Sequence, residues 1–348
     1  MPNKTILITG IAGFIGFHAA RRFIKEGYRV VGLDEVNAYY DPSLKEARLL
    51  ELGYDNYTFY RVSLEEAEEV KRIVRDEQID LVLHLAAQAG VRYSLERPDV
   101  YISSNINGFL SILEACRHHP VEQLVYASSS SVYGANRKMP FSTEDGVDHP
   151  LSLYAASKKA NELMAHTYSS LYGIKTTGLR FFSVYGPWGR PDMALYLFTE
   201  AISKGKPIDL YNYGEMGRDF TYIDDIIESI YRLFQTEPEA DSSFDPEHPV
   251  PDRSFVPYRV FNIGSHSPIR LNEFVELIEK RLGKPALKNL MPIQAGDVPE
   301  SFADVASLFE TIGYRPQTQV EDGVNAFIDW YEAYTARSEV KEEIIDGT

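Results

Sequence analysis

The stretch ILITGIAGFIGFHAARRFIKEG, residues 6–27, joins a short apolar run to an amphipathic one through Gly10, Gly13 and Gly16. Ile6–Thr9 suits a buried strand, and the residues from 14 onward suit a helix. Glycine permits a tight turn and lets the backbone approach a pyrophosphate, while the helix N-terminus faces the negative charge. Three glycines spaced G-x-x-G-x-x-G are a weak signal alone. Between a first strand and its helix they stand where a dinucleotide site requires them. The expected cofactor contacts here are Gly10, Gly13, Phe14, Ile15 and Gly16. YRVVGLD (28–34) reads as the second strand and ends in Asp34. A carboxylate there accepts both hydroxyls of an adenosine ribose and repels a 2′-phosphate, so it favours NAD over NADP. Asn37, in the loop that follows, joins the expected set. The plainer alternative is a set of packing glycines and a strand-end turn at Asp34.

Outward from this unit, strands are expected at 57–63, 80–87, 123–129 and 175–186, and helices at 14–27, 65–76, 98–118 and 153–173. The strands are nearly continuous runs of Val, Ile, Leu, Phe and Tyr ending in small or polar residues. Their alternation with helices implies a parallel sheet covered on both faces. Leu85, Ala86 and Ala87 end the fourth strand and suit a chain passing close to the cofactor. His84 has no second ligand at metal spacing and is expected to be a core histidine, with no metal site. After about residue 186 the rhythm changes, with helices near 193–204, 223–235, 271–283 and 320–336. The expected class is α/β: a Rossmann-like doubly wound parallel sheet over 1–186, with a smaller mixed α/β substrate-binding lobe over 187–338. Segments 219–235 and 258–264 are expected to return to the first domain. The Pro- and acid-rich segment 236–257 reads as a mobile loop, and 339–348 as a frayed tail.

The chain has 348 residues, 44% of them hydrophobic, and a formal net charge of −16. Such an acidic protein is ill suited to nucleic acid, because phosphate neutralisation needs a basic face. Local arginines can still receive an anionic small molecule. Cys116 is the sole cysteine, which excludes an intrachain disulfide and suits a reducing compartment. Neither a signal peptide nor a membrane span is apparent, and the expectation is a soluble cytoplasmic protein.

YASSSSVYG (126–134) closes the fifth strand in a row of serines, and SLYAASKKANELMAHTY (152–168) then offers Tyr154 and Lys158. An i, i+4 pair shares one helix face. Lys⁺ beside a phenol favours phenolate, and an oxidised nicotinamide adds positive charge. A tyrosine base must fall roughly three units from about 10, on the order of 4 kcal/mol. The alternative is an ordinary surface pair, but its place downstream of a nucleotide loop and a strand-end serine favours catalysis.

With these residues the chain resembles the extended short-chain dehydrogenases/reductases, in the group of nucleotide-sugar epimerases and dehydratases. Gly10, Gly13, Gly16, Asp34, Ser129, Tyr154 and Lys158 fall at that family's signature positions, and RDFTYIDD (218–225) matches its later R-D-[FY] segment. The resemblance spans nearly the whole chain. It implies that tyrosinate takes a sugar hydroxyl proton, that the carbon-bound hydrogen leaves as hydride to NAD⁺, and that Ser129 bridges sugar and tyrosine. Ser63 stands where relatives carry Asp near the adenine, so Ser63 and Leu64 are expected there. The family's 4,6-dehydratases have an Asp-Glu pair after this Ser/Thr, and its decarboxylases a Glu before VYG. This chain has Ser130 and Ser131. A hydroxyl is a poor acid for expelling water. The serines therefore suit an epimerase, which oxidises, holds the keto sugar and reduces it again. Ser128 and Ser131 equally suit capping at the strand end.

LRFFSVYGPWGRPDMALYLF (179–198), with GVRYS (90–94), NRKMPFS (136–142) and NYGEMGRDFTY (212–222), is similar to the UDP-glucuronate 4-epimerases. The resemblance implies interconversion of UDP-glucuronate and UDP-galacturonate, the alternative being UDP-glucose/UDP-galactose epimerisation. Oxidising C4 of a glucuronate makes a β-keto acid that loses CO₂ readily, so the carboxylate must be restrained. Carried over by position, Arg190 offers a bidentate fork, Ser129, Ser130 and Ser183 add hydroxyls, and Arg92 is a second candidate. A plain ion pair is the alternative for Arg190. Arg218 resembles the diphosphate arginine and Asp297 the uridine-ribose contact; Gln294 departs from the Arg of many galactose epimerases. Tyr213 or Tyr211 could stack near uracil, although aromatic residues in such a strand are as often core. Helices 98–118 and 153–173 resemble a pair that forms a four-helix dimer interface, which implies a homodimer. A nucleotide-sensing protein on this fold is the non-enzymatic alternative, disfavoured by the intact Tyr and Lys.

Overall fold

The computed structural model describes residues 4–294 and 299–346. In chain order the first part holds β1 (Thr5–Thr9), α1 (Phe14–Lys25), β2 (Arg29–Asp34), α2 (Pro42–Leu52), β3 (Tyr57–Arg61), α3 (Ala67–Asp76) and β4 (Leu81–His84). There follow α4 (Tyr93–Glu96), α5 (Pro98–Tyr101), a π-helical turn (Ile102–Asn107), α6 (Gly108–His118), β5 (Gln123–Ser129), α7 (Leu153–Tyr172) and β6 (Thr176–Phe181). The remainder is β7 (Ser183–Tyr185), α8 (Ala194–Ser203), β8 (Pro207–Leu210), β9 (Gly217–Tyr222), α9 (Ile223–Leu233), β10 (Tyr258–Ile263), β11 (Pro268–Arg270), α10 (Leu271–Leu282), β12 (Leu287–Leu290), β13 (Glu300–Ser301), α11 (Ala306–Ile312) and α12 (Val320–Asp346).

Seven strands form one sheet in the order β10–β6–β5–β4–β1–β2–β3, and every neighbouring pair is parallel. Side chains alternate across a strand. Ile6 and Ile8 of β1 join one apolar core with Phe17 and Phe23 of α1, and Leu7 joins the other with Phe109 and Ile112 of α6. The sheet is thus covered on both faces, as its continuous apolar strands require. Strand order reverses between β1 and β4, and ligands of such sheets bind outside the carboxyl ends at that point. A third core gathers Tyr185, Phe198, Phe220, Phe274 and Phe327 from β7, α8, β9, α10 and α12.

The expected strand 175–186 is two strands. β6 stays in the main sheet, and beyond Phe182 the chain crosses to pair β7 with β9 of the small sheet. Of the expected returns, β10 joins the main sheet beside β6 and α9 packs on α1, but β9 belongs to the small sheet with β7, β11 and β13. The helix expected at 98–118 is interrupted at 102–107 by π geometry, which widens the turn at Asn105. The last helix runs to Asp346, through most of the segment expected to fray. In the 236–257 segment, read as a mobile loop, Asp252 accepts from Thr143 Oγ1 at 2.6 Å, Asp241 N–H donates to Ser254 O at 2.8 Å, and Ser254 and Val256 are buried.

Candidate functional site: a cavity at the carboxyl ends of the central strands

A cavity of about 500 Å³ opens at the ends of β1, β2, β4, β5 and β6. Its floor is the glycine loop. Gly10 has φ +73, and a Cβ there would lie 2.8 Å from Ala86 N; a Cβ on Gly16 would lie 2.1 Å from Gly10 O. Neither position tolerates a side chain, so the backbone itself forms the cradle. α1 starts at Phe14 with no side-chain cap and no acidic residue in its first turn. Its first N–H groups are left for an anion, as a pyrophosphate needs. Phe14 and Ile15 line the cavity beside them.

Asp34 ends β2 with Oδ2 accepting from Ala12 N at 3.1 Å and Oδ1 from Val36 N at 2.8 Å. Burial raises its pKa, and those backbone donors work against the rise. The carboxylate thus fixes the glycine loop and presents its remaining lone pairs to the cavity. Asn37 is held by Lys45, whose Nζ donates to its carbonyl and to its side-chain oxygen, both at 2.8 Å. Ser63, Leu64, Leu85, Ala86 and Ala87 also line the cavity. His84 is buried, bonds Thr9 Oγ1 at 2.9 Å and stacks on Phe109; burial pushes its pKa down to about 3, the state of a neutral core histidine. These residues fit the adenosine end and the pyrophosphate of NAD: a backbone cradle for pyrophosphate and a carboxylate for the adenosine ribose.

At the other end Tyr154, Lys158 and Ser129 meet. Ser152 caps α7 by accepting from Ala155 N at 3.1 Å, which sets Tyr154 in the first turn and Lys158 one turn on. The π turn exposes the Asn105 carbonyl, which accepts from Asn161 Nδ2 at 2.7 Å, while Asn105 Nδ2 reaches Ser157 Oγ at 3.0 Å. This pins α7 to the π turn, and Asn105 in turn holds the loop after β4, accepting from Gln88 N at 2.8 Å and donating to Gln88 O at 3.1 Å. The Ser129 hydroxyl sits beside the phenol; burial raises the Tyr154 pKa, while Ser129 and the Arg190 charge lower it. Lys158, expected beside the phenol, lines the same cavity. Its Nζ donates to Ala127 O at 2.9 Å, and burial lowers its pKa to about 8. The depressed tyrosine pKa expected from a Lys⁺ neighbour is therefore not a property of the protein residues alone.

The four serines have separate places. Ser128 Oγ donates to Glu162 at 2.7 Å within a buried network, so its role is structural. Ser131 Oγ donates to Ser129 Oγ at 2.8 Å, and Ser130 lines the cavity. Arg190, Ser183 and Arg218 line it too. Arg190 makes a bidentate pair with Asp192 at 2.9 and 2.7 Å, and Tyr39 OH donates to the same carboxylate at 3.0 Å. Arg218 Nη1 donates to Gly217 O at 2.8 Å. Two expected contacts stand outside the lining: Arg92 lies over the Tyr211 ring at 5.0 Å, and Tyr213 is 56% exposed. Asp297 lies outside the described residues. Sequence reasoning missed Tyr39, Lys45, Gln88 and Asp192; the Arg-x-Asp spacing of 190–192 was the one available signal. Among the described lining residues the carboxylates are Asp34 and Glu35, both at the β2 end, whereas Lys45, Lys158, Arg190 and Arg218 supply positive charge. A protein of net charge −16 thus keeps a cationic cavity.

A Staphylococcus aureus protein named CapI is 58% identical over 94% of this chain and 98% of its own length. A Rhizobium meliloti protein named "Probable UDP-glucuronate 4-epimerase" is 48% identical over 94% of this chain and 96% of its own. The solved structure of UDP-glucuronic acid 4-epimerase from Bacillus cereus, in complex with UDP-glucuronic acid and NAD, matches at a TM-score of 0.84 with 31% identity, covering 95% of this chain and 99% of that one. Residues 6–264 match a family model and span the glycine cradle, Asp34 and the Ser129–Tyr154–Lys158 cluster, and the chain accordingly belongs to the NAD dependent epimerase/dehydratase family.

Proposed function

We propose that this chain interconverts UDP-glucuronate and UDP-galacturonate. The observation that carries the reading is Arg190 in the same cavity as Tyr154 and Ser129, close enough for its charge to lower the Tyr154 pKa. Tyr154 takes the proton of the C4 hydroxyl, and Ser129 holds that oxygen against the phenol. When bound in the cradle, NAD⁺ accepts the C4 hydrogen as hydride, returns it to the opposite face, and adds positive charge near the phenol. Lys158, protonated below about pH 8, adds a further positive charge in the wall of the same cavity. Arg218 anchors the diphosphate while the keto sugar turns. Arg190, helped by Ser130 and Ser183, grips the C5 carboxylate and so restrains loss of CO₂. Tyr154 returns the proton after reduction.

Among the described residues, the cavity lining places no carboxylate near Tyr154, which speaks against water elimination, a step that needs an acid there. One observation favours the neutral-hexose alternative: Asp192 already neutralises part of the Arg190 charge. Arg190→Ala separates the two. UDP-glucuronate turnover should fall by about two orders of magnitude, the worth of a lost charged pair, with UDP-glucose turnover little changed if any is present. Equal activity of both proteins on UDP-glucuronate would remove the clamp.

Residues 1–186, with α9 and β10, are read as the NAD-binding part and 187–338 as the UDP-sugar lobe. A homodimer through the 98–118 and 153–173 helices is supported by Ile102, Leu110, Leu163, Leu171 and Tyr172, all exposed on those helices. Among the described residues no helix is long and apolar enough to cross a membrane. A single buried thiol, Cys116, is in keeping with a cytoplasmic setting.

A further inference from the structure

The loop that carries Arg190 is held from outside the small lobe. Successive carbonyls of Pro187, Trp188 and Gly189 accept hydrogen bonds from side chains on α1 and α2. His18 Nε2 reaches Pro187 O at 2.9 Å, and Arg48 Nη2 reaches Trp188 O at 2.7 Å and Gly189 O at 3.4 Å. Arg48 is fully buried and, among the described residues, pairs with no carboxylate. Its other nitrogen, Nη1, donates to Ala12 O of the glycine loop at 2.8 Å and to Tyr40 OH at 2.7 Å. A buried cation without an acid is expensive to keep. The Arg48 Nε has no hydrogen-bond partner among the described residues, while both terminal nitrogens go to loop backbone and a neighbouring hydroxyl, so the bonds that this cation makes are spent on fixing those loops.

The loop itself is strained. Trp188 has φ +63, a conformation bulky L residues rarely adopt. Its ring is held by Phe17 at 5.3 Å, Trp330 at 5.3 Å and Tyr334 at 5.6 Å. Such strain persists where the surroundings over-determine it, and at this point it turns the chain two residues before Arg190. Beyond Arg190, Tyr39 OH holds Asp192, which in turn grips the guanidinium. The clamp arginine is therefore fixed on both sides by the segment that follows β2, which also carries the cofactor contact Asn37.

We infer that Arg48 and Tyr39 are positioning residues for Arg190, setting the glycine loop and the grip on the substrate carboxylate as one unit. The inference rests on the reading of Arg190 as that clamp. Its consequence is a product ratio. When the C4 ketone forms, a loose carboxylate lets the C5–C6 bond break: CO₂ departs, its electron pair passes to C5 and the C4 oxygen as an enolate, and protonation at C5 leaves a UDP-4-keto-pentose. A small displacement of a clamp is enough to change such partitioning.

The test uses purified wild type, Arg190→Ala, Arg48→Lys and Tyr39→Phe. UDP-glucuronate products are followed by NMR, the affinities for UDP-glucuronate and UDP-glucose by calorimetry, and the NAD retained per chain by release and absorbance. Arg190→Ala should raise the ratio of keto-pentose to UDP-galacturonate and abolish the affinity preference for UDP-glucuronate. Arg48→Lys cannot span the four acceptors; it should move both readouts in the same direction by about tenfold, the worth of a charged hydrogen bond, and lose NAD as well. Tyr39→Phe keeps the ring and should move the ratio and preference severalfold with NAD retained; it decides the matter if Arg48→Lys does not fold. If Arg190→Ala changes neither readout, the clamp reading falls and this inference with it. If Arg190→Ala moves them while the other two lower turnover without changing ratio or preference, the clamp stands and Arg48 and Tyr39 are merely structural.

Discussion

Lys158 is a buried ammonium whose donor goes to the Ala127 carbonyl at 2.9 Å, with its pKa lowered to about 8 by burial alone. Below pH 8 it is charged in both folded and unfolded chains, so the full penalty of burying it is present. Between about 8 and the ordinary lysine value near 10.4 the unfolded chain holds the proton and the folded chain does not, so folding stability rises with pH through that window. Lys158→Met should therefore stabilise the protein at pH 7 by roughly 1–3 kcal/mol in denaturant unfolding, with the gain fading by pH 10 and epimerisation lost. Equal stabilisation at both pH values would contradict the assignment of the penalty to its charge. Tyr154→Phe should lower turnover by about 10²–10⁴-fold, the worth of a positioned base, while the glycine cradle still retains NAD. The i, i+4 spacing showed that Tyr154 and Lys158 share a face. It could not show what each bonds, because the Lys158 acceptor lies on β5 and the strongest neighbours of Tyr154 are Ser129 and Arg190.

At the scale of elements, α7 is tied to the sheet by a fully buried ion pair. Arg180 of β6 holds Glu162 at 2.9 and 3.0 Å, and Glu162 accepts from Ser128 of β5 at 2.7 Å. Burial opposes the Glu162 charge, and Arg180 more than offsets it, holding the carboxyl below its usual range. Glu162→Gln should cost about 3–5 kcal/mol by leaving Arg180 uncompensated, read as a lower denaturation midpoint. A change below 1 kcal/mol would mean that water reaches the pair. The alternation of apolar strands with helices made the main sheet legible, and the glycine context marked its first crossover. The break at Phe182 was not legible, because LRFFSVYG is one apolar run and the choice between β10 and β9 as partner is made by tertiary packing. The π turn at 102–107 left no mark either: its cause is the bonding of Asn105 to Gln88, Ser157 and Asn161 on other elements.

Across the whole molecule, a strongly acidic chain lines one cavity with four cations, Lys45, Lys158, Arg190 and Arg218, against two carboxylates among the described residues. The cofactor end of that cavity was readable from Gly10, Gly13, Gly16 and Asp34. At the sugar end Arg190 and Ser183 line the cavity, whereas Arg92 and Tyr213 stand outside the lining; Arg92 lies over the Tyr211 ring, a long-range contact that local pattern does not carry. Leu163 and Leu171 are 58% and 65% exposed and stand about two turns apart on α7. Leu163→Glu with Leu171→Glu should convert a dimer to a monomer in light scattering; an unchanged mass would place any interface elsewhere. The most direct measurement of the proposed activity is to incubate the purified protein with UDP-glucuronate, without added NAD, and follow the anomeric protons by NMR. Appearance of UDP-galacturonate is expected, from an enzyme that holds and regenerates its own cofactor. Unchanged UDP-glucuronate, with UDP-glucose converted instead when NAD is supplied, would contradict it.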